Sequence, residues 1–284
     1  MEKVLIAGAT GYLGKCAIRA FKERGYYVRA LARNVSKLDD VREYIDEVFE
    51  AQVTQAETLK GVCDNIDYIF SSLGLTKQSD KVSHMDVDYM GNKRLLDLAL
   101  KASVKKFIYT SVFAGNDSLD IEIFRVKEKF AQYMMNSGMD YAIIRPTGFF
   151  SDMYEIWKMA KSGRVYLLGK GQARGNPIDG NDLAHVCVDA VTKKQKEIEI
   201  GGPDTFTQQQ IAELAFKSLN KESKITKIPE GLVRSITWMA NPFLSPRMRG
   251  SVEFLLAALL NNFVAPAYPG RSLEDYFNEL SQTI

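Results

Sequence analysis

A buried strand that stops at a glycine and becomes a helix within a few residues leaves a chain few ways to fold. Here Val4-Leu-Ile-Ala-Gly8-Ala-Thr-Gly11-Tyr-Leu-Gly14 joins an apolar run to an amphipathic stretch through three spaced glycines. Gly8 permits the tight turn, Gly11 removes a side chain where backbone N–H groups would approach a pyrophosphate, and Gly14 lets the helix lie close on the strand. The helix then presents unpaired donors and the positive end of its dipole to phosphate charge. With a strand before, a helix after and a second strand ending near Ala32, the pattern has the context of a dinucleotide-binding unit.

From residue 3 to about 145, short β-branched or aromatic runs alternate with longer stretches of helical period. The predicted strands lie near Val4 to Ala7, Tyr27 to Ala32, Glu47 to Val53, Tyr68 to Ser71, Lys106 to Thr110 and Tyr141 to Arg145. Predicted helices run near Tyr12 to Arg24, Asp86 to Ala102 and Ile121 to Ser137, with Gly25 and Gly138 punctuating two of their ends. After Arg145-Pro146 the alternation fades. Asp182 is expected to cap a further helix through Val191, and Thr207 with Gln210 reads as a capping box. The expected architecture is α/β: a Rossmann-type doubly wound parallel sheet over residues 1–150, joined by a returning strand near 197–201, and a smaller, mostly helical substrate lobe over 151–284.

Composition narrows the functional classes. The 284 residues carry 37 Lys and Arg against 35 Asp and Glu, a formal charge of only +2, which disfavours a nucleic-acid binder. Three isolated cysteines show no metal-ligand spacing and suit a reducing compartment, so a cytoplasmic location is expected. The run Val4 to Ala7 is too short for a signal sequence and reads as a strand of the mature protein. The greasiest late stretch, Phe254 to Leu260, falls short of the roughly 20 residues a spanning helix needs, so no transmembrane segment is predicted. His84 and His185 lack partners at metal-ligand spacing, and no metal is expected.

The end of the second strand chooses the nucleotide. A carboxylate there would accept from the ribose 2′-hydroxyl of NAD, but the residues are Leu31-Ala32-Arg33-Asn34, with Lys37 following. A guanidinium binds a 2′-phosphate bidentately and stacks on adenine, so NADP(H) is preferred over NAD(H).

Gly8-Ala-Thr-Gly-Tyr-Leu-Gly14, Ala30-Leu-Ala-Arg33, Asp88-Tyr-Met-Gly-Asn92, Phe107-Ile-Tyr-Thr-Ser111, Ile143-Ile-Arg-Pro146 and Asn176-Pro-Ile-Asp-Gly-Asn-Asp-Leu-Ala184 together resemble the atypical, NmrA-like branch of the short-chain dehydrogenase/reductase superfamily. The likeness runs from Val4 to about Pro203. It implies that Thr10, Tyr12 and Leu13 join the glycines at the cofactor, that Leu73-Gly74 line the adenosine side, and that Ser111 ends the strand beneath the nicotinamide. Pro146-Thr147-Gly148 would touch the carboxamide region. Gln52, beside Val53, stands where the superfamily commonly has an acid, and its amide can still hydrogen-bond adenine.

The superfamily's catalytic Tyr-x-x-x-Lys would place tyrosine at Ile123, so the usual proton donor is missing while Lys127 is retained. Lys127 is therefore the catalytic candidate: it would hold the nicotinamide ribose and donate a proton, with burial lowering its pKa, unless it is an ordinary helical lysine. Two other Tyr-x-x-x-Lys matches occur, at Tyr89 and Tyr154; Tyr154 follows the Pro146 turn and is an alternative acid or pocket residue. No G-x-S-x-G elbow surrounds Ser111, which disfavours a hydrolase.

Phe113, Phe149, Phe150, Tyr154 and Trp157 are candidates for an apolar substrate wall, with core packing as the alternative. The apolar segment Ile236 to Leu244, flanked by Arg234, Arg247 and Arg249, could form a cap, a dimer contact or a peripheral membrane surface. Two functions are expected. One is an NADPH-dependent oxidoreductase acting on a small apolar or aromatic carbonyl, enone or quinone-like substrate. The other is a catalytically silent NADP(H)-binding sensor or assembly factor that works through a protein partner.

Overall fold

The structure is a computed structural model that describes residues 1–75, 82–113, 121–233, 235, 256–257 and 259–283. The segment from Ile236 to Leu244 and its flanking arginines Arg234, Arg247 and Arg249 lie outside the described residues. Two compact units divide the chain: Met1–Arg145 with Gly180–Ile198, and Pro146–Asp179 with Glu199–Ile284.

The first unit is built on a sheet of β1 (Lys3–Ala7), β2 (Tyr27–Ala32), β3 (Glu47–Glu50), β4 (Tyr68–Ser71), β5 (Lys106–Thr110), β6 (Tyr141–Pro146) and β9 (Glu197–Ile200), in the order β3-β2-β1-β4-β5-β6-β9. Neighbours from β3 to β6 run parallel. At the far edge Ile143 N–H donates to Lys196 O and Thr147 N–H to Ile200 O, so β6 and β9 advance together and are parallel as well. Strand order reverses at β1 and β4, where open parallel sheets bind ligands beyond the carboxyl ends of their strands.

Helices α1 (Tyr12–Glu23), α2 (Asn92–Lys101), α3 (Glu122–Met135) and α5 (Gly180–Asp189) flank this sheet. Alternate strand residues, among them Leu5, Ile69, Phe107, Tyr109 and Ile143, pack with Leu95 and Leu96 of α2 and Phe130 and Met134 of α3. The strands are apolar on both faces, which explains why they read as continuous hydrophobic runs. Gly25 and Gly138 take positive φ of 86° and 81° just beyond α1 and α3, ending those helices as their positions in the sequence indicate.

Several boundaries differ from expectation. Strand β3 ends at Glu50, because Gln52 N–H turns away to donate to Thr58 Oγ1. The connections after β2 and β3 are 3₁₀ segments, Val35–Tyr44 and Ala56–Leu59; each buries only one or two side chains, too little to support a full α-helix. The helix predicted from Asp86 instead opens with a wide, π-type turn over Met85–Gly91, since Asp88 is drawn inward and Asn92 Nδ2 donates to Asp88 O within the ladder. Helix α5 begins at Gly180, two residues before Asp182.

In the second unit, α4 (Phe150–Lys161), α6 (Gln208–Ser218) and α7 (Leu273–Gln282) enclose Phe150, Trp157, Phe216 and Phe277. A parallel pair, β7 (Val165–Leu168) with β11 (Ile225–Ile228), and an antiparallel pair, β8 (Arg174–Gly175) with β10 (Phe206–Thr207), complete it. The capping box at α6 forms: Gln210 N–H donates to Thr207 Oγ1, and Thr207 N–H donates to Gln210 Oε1.

A buried charge cluster fastens the first unit's edge. Arg145, 3% exposed, donates to Glu128 of α3 at 2.9 Å and to Glu197 of β9 at 3.0 Å. Removing the cation alone would strand Glu128 in the core. Arg145→Met should therefore cost about 3–5 kcal/mol in urea unfolding at neutral pH. A loss within experimental error would show that the cluster contributes no net stability.

Candidate functional site

The site is built upward from the glycine turn. Gly8 has φ of 84°, and a β-carbon there would lie 2.8 Å from Ser72 Oγ. At Gly14 a β-carbon would stand 2.1 Å from Gly8 O, so α1 can rest on the turn only without a side chain. Gly11 is different. Its φ of −82° suits any residue, and a β-carbon would meet only Gly8 O at 3.3 Å. Gly11 is exposed, and its only tight neighbour is the carbonyl of its own turn. That position caps α1 with no side-chain acceptor, and the first turn carries no acid. Helix starts ordinarily use Ser, Thr, Asp or Asn here, and α1 begins without such a side chain. Thr10 is half-buried, Tyr12 exposed and Leu13 buried beside it. The Tyr12 hydroxyl accepts from Gly180 N–H at 3.1 Å, and a β-carbon at Gly180 would strike the Tyr12 ring, which fixes where α5 begins.

Arg33 and Lys37, both exposed, follow β2. No ion pair involves either among the described residues, whereas Asp40 on the same segment is engaged by Lys15 at 2.6 Å. Beyond β3, Gln52 Nε2 donates to Thr54 Oγ1 at 2.7 Å and Val53 O accepts from Arg94 at 3.1 Å. Leu73 N–H donates to Ser71 Oγ, which holds the chain leaving β4.

A buried charge group lies under that chain. Asp88, fully buried, places Oδ1 at 3.2 Å from Lys127 Nζ, and its Oδ2 accepts from Leu75 N–H at 3.1 Å and stands 3.2 Å from His84 Nδ1. The backbone crosses directly above: a β-carbon at Gly74 would lie 2.9 Å from Asp88 Oδ1 and 3.1 Å from Lys127 Nζ. Lys127 Nζ also sits 5.8 Å from the centroid of the Tyr109 ring.

The expectation that burial lowers Lys127 is corrected here. Desolvation does push it down, but the Tyr109 phenol and the Asp88 carboxylate outweigh burial and hold the ammonium above the ordinary lysine value of 10.5. Burial raises Tyr109 itself to about 12, so it is a neutral phenol at pH 7 and Asp88 supplies the countercharge. Burial likewise pushes Asp88 up, yet Lys127 first and then His84 and the Leu75 amide hold it below the usual 3.8.

At the end of β5, Ser111 is 5% exposed, and its Oγ, like the Tyr109 and Thr110 hydroxyls before it, has no hydrogen-bond partner among the described residues. Ile123 lies one turn before Lys127 on α3, half-buried, so an aliphatic group occupies the position expected of tyrosine. Phe113 is half-buried beyond β5.

The remaining candidates belong to the second unit. Thr147 Oγ1 donates to Asn176 O at 2.7 Å, and a β-carbon at Gly148 would touch nothing within 4 Å. Phe149 precedes α4, its N–H donating to Asp152 Oδ2. Phe150 and Trp157 are core residues, 1% and 3% exposed. Tyr154 stacks on Trp157 at 5.8 Å and keeps an exposed face. Among the described residues no group of three His, Cys, Asp or Glu could hold a metal, and no helix is long and apolar enough to cross a membrane.

Asp88, His84 and Tyr109 were not singled out as site residues by sequence reasoning. The available signal was Asp88 itself, an acid in register with Asn92 and Leu95 on what is otherwise the buried face of a helix.

Residues 8–194 match the model of the NAD(P)H-binding family. The chloroplastic divinyl chlorophyllide a 8-vinyl-reductase of Arabidopsis thaliana is 30% identical over 250 residues, which is 80% of this chain but 60% of that protein, under two thirds of its length. The photosystem II assembly factor Ycf39 of Guillardia theta is 26% identical over 232 residues, 80% of this chain and 73% of that one. Among solved structures, the triphenylmethane reductase of Citrobacter sp. complexed with NADP(H) superposes with a TM-score of 0.74 at 16% identity, covering 99% of this chain and 100% of that one. That likeness is one of fold.

The Asp88–Lys127 pair has a defined pH window. Asp88, depressed on folding, adds stability above the ordinary 3.8 that is lost as pH falls through its folded value. Lys127, raised on folding, adds stability below 10.5 that is lost as pH rises through its folded value. Asp88→Asn should thus cost about 3–5 kcal/mol in urea unfolding near neutral pH. The difference from wild type should shrink below about pH 4, where the carboxylate begins to protonate. A difference that stays constant down to the acid transition would contradict the assignment.

Proposed function

The chain belongs to the NAD(P)H-binding family, and from that premise we propose that it is an NADPH-dependent reductase that delivers hydride to a small apolar or aromatic enone, quinone or carbonyl substrate. The observation that supports this reading is the bare start of α1 beyond the glycine turn, where the exposed Gly11 supplies no side-chain cap and a dinucleotide pyrophosphate would be received. The buried Ser111 hydroxyl, without a partner among the described residues, is a second group that fits a ligand's hydrogen bond.

In this reading Gly8, Thr10, Gly11, Tyr12, Leu13 and Gly14 hold the pyrophosphate, and Arg33 with Lys37 holds the 2′-phosphate. Gln52, Val53, Leu73 and Gly74 border the adenosine. Ser111, Lys127, Pro146, Thr147 and Gly148 serve the nicotinamide end. Bound NADPH supplies the hydride. Lys127 contributes a fixed positive charge and hydrogen-bond donors, and Tyr154 is the candidate proton donor in the second unit. Phe113, Phe149 and the exposed face of Tyr154 would meet substrate, while Phe150 and Trp157 would support that surface from the core. The reading fits the reductases among the relatives, one of which acts on a chlorophyllide vinyl group and another on a triphenylmethane.

Ile123 favours a second reading. Without the superfamily's tyrosine the same fold would bind NADP(H) and act through a protein partner, as the name of the assembly-factor relative implies for that protein. NADPH oxidation across a panel of enones, quinones and aldehydes, run beside thermal shifts, separates the two: turnover supports the reductase, and stabilisation without turnover supports the sensor.

Two substitutions test the cofactor assignment. Arg33→Asp should weaken NADPH about 10–100-fold in calorimetry, the loss of charged hydrogen bonds worth about 1.5–3 kcal/mol, and leave NADH nearly unchanged. Equal losses for both would remove the 2′-phosphate role. Gly11→Val should remain folded, with a lowered melting temperature from its contact with Gly8 O, yet bind neither dinucleotide, and retained affinity would displace the pyrophosphate from this turn.

A further inference from the structure

Resting on the reductase reading above, we propose that Asp152, in the first turn of α4, is the catalytic acid that gives the substrate its proton when hydride is delivered. An enone that accepts hydride at its β-carbon becomes an enolate, and the α-carbon must then gain a proton to give the saturated ketone. In this step the Oδ1–H bond of Asp152 breaks, its electron pair stays on the carboxylate, and the proton joins the α-carbon. Water then returns a proton to the carboxylate. The position that would hold tyrosine is Ile123, which has no proton to give. Tyr109 is fully buried, and burial pushes its phenol up to about 12, so it meets no substrate.

The chain leaves the carboxyl end of β6 at Pro146, and Thr147-Gly148-Phe149 leads directly into α4. Open parallel sheets bind ligands beyond that end of their strands. A β-carbon at Gly148 would meet nothing within 4 Å, so space is open beside this link. The two carboxyl oxygens of Asp152 differ. Oδ2 accepts from Phe149 N–H at 3.1 Å, and Asp152 N–H donates back to Phe149 O at 3.0 Å, which anchors the residue. Oδ1 has no hydrogen-bond partner among the described residues and is the oxygen left for a substrate.

The electrostatic setting suits an acid. Glu155, the other acid of α4, pairs with Lys158 at 2.7 Å, whereas no basic side chain stands at ion-pair distance from Asp152 among the described residues. The elements packed on α4 are α6, α7 and β7, and their charges are engaged elsewhere. Lys217 pairs with Glu274 at 2.6 Å, Glu213 accepts from Gln209, Asp275 accepts from Ser272, and Glu279 pairs with Arg271, which lies over the Tyr276 ring. Tyr166 of β7 is exposed. Desolvation by the surrounding protein therefore raises the Asp152 carboxyl above the ordinary 3.8, opposed only by the Phe149 amide. Solvent nonetheless reaches the side chain. A carboxyl that is desolvated yet reachable stands in a recess, where it is held back from ionising and can still be reprotonated by water. Tyr154 lies about 200° further round the helix. Its ring is stacked on Trp157 with Lys158 Nζ 5.2 Å from its centroid, which suits a wall of the substrate site.

Two measurements on the full chain need neither dinucleotide nor turnover. The carboxyl ¹³C signal of Asp152 should titrate with a midpoint above the ordinary 3.8, and a midpoint at or below it overturns the proposal. Because the folded-state value is raised, Asp152 adds stability below 3.8 that is lost as pH rises through the folded value. The melting temperature of Asp152→Asn relative to wild type should therefore climb between about pH 4 and about pH 7. The opposite trend would mark Asp152 as a structural carboxylate and overturn its role as an acid.

Kinetics with NADPH and benzalacetone, an aromatic enone, or the member of the panel reduced fastest, test the proton transfer itself. For wild type, kcat should fall about tenfold per pH unit above the Asp152 midpoint. Asp152→Asn should lower kcat about 100-fold or more and remove that falling limb, while NADPH affinity by calorimetry changes less than about threefold. Asp152→Glu should restore the limb at its own midpoint, which decides the matter if Asp152→Asn fails to fold. Tyr154→Phe should keep the limb. Wild-type kcat in Asp152→Asn, or a limb that vanishes with Tyr154→Phe and persists in Asp152→Asn, overturns the role of Asp152 and leaves the reductase reading standing. A wild-type protein that binds NADPH and reduces no member of the panel overturns the reductase reading instead, and the catalytic role with it.

Discussion

The backbone of α1 rests on the turn that launches it, with the α-carbon of Gly14 so close to Gly8 O that no side chain fits between them. Everything that makes the site usable follows from that contact. It aims the first turn of α1 past the carboxyl ends of β1 and β4, where the strand order reverses. The capping position falls to Gly11, so α1 starts without a side-chain cap. It also sets the height of Tyr12, whose hydroxyl receives Gly180 N–H and whose ring excludes any larger residue there. One close approach therefore orders a turn, a helix and the start of a second helix distant in sequence.

Two buried ion pairs in the first unit show how the same interaction serves different ends. Arg145 with Glu128 and Glu197 ties α3, β6 and β9 together, and its charges are spent on each other. Asp88 with Lys127 is arranged less symmetrically: one carboxylate oxygen is locked by protein donors, and the cation keeps a window to the surface. Buried pairs of this kind add little net stability relative to apolar replacements, and what they supply is a defined arrangement of charge. For the edge cluster that arrangement is register between elements. For Asp88 and Lys127 it is a buried contact between α3 and the turn that precedes α2.

Much of the first unit was legible because it rests on local rules. Apolar runs of strand length, glycines at turn positions and a helical period on Leu95, Leu96 and Ala99 are each decided by neighbours a few residues away, and the strands and main helices appear where those rules put them. The errors fall where a side chain takes a backbone group out of the regular ladder. Strand β3 stops early for Thr58, and the helix before α2 widens for Asp88. Among the aromatic pocket candidates, sequence could not separate Phe150 and Trp157, which fill the core, from Tyr154, which keeps an exposed face, because burial depends on how α4 is turned against α6 and α7.

By itself the amino-acid sequence determined the strand-turn-helix unit, the basic residue after β2 in place of an acid, and the aliphatic Ile123 where a tyrosine would serve chemistry. These are properties of adjacent residues and need no knowledge of what lies across the fold. Only the tertiary structure decided the state of Lys127, which depends on Tyr109 and Asp88 delivered by other elements, and the burial of Ser111 at the end of β5. The physical reason is the same in both cases: desolvation and pairing are set by whichever groups arrive in space, and a linear pattern does not record their arrival.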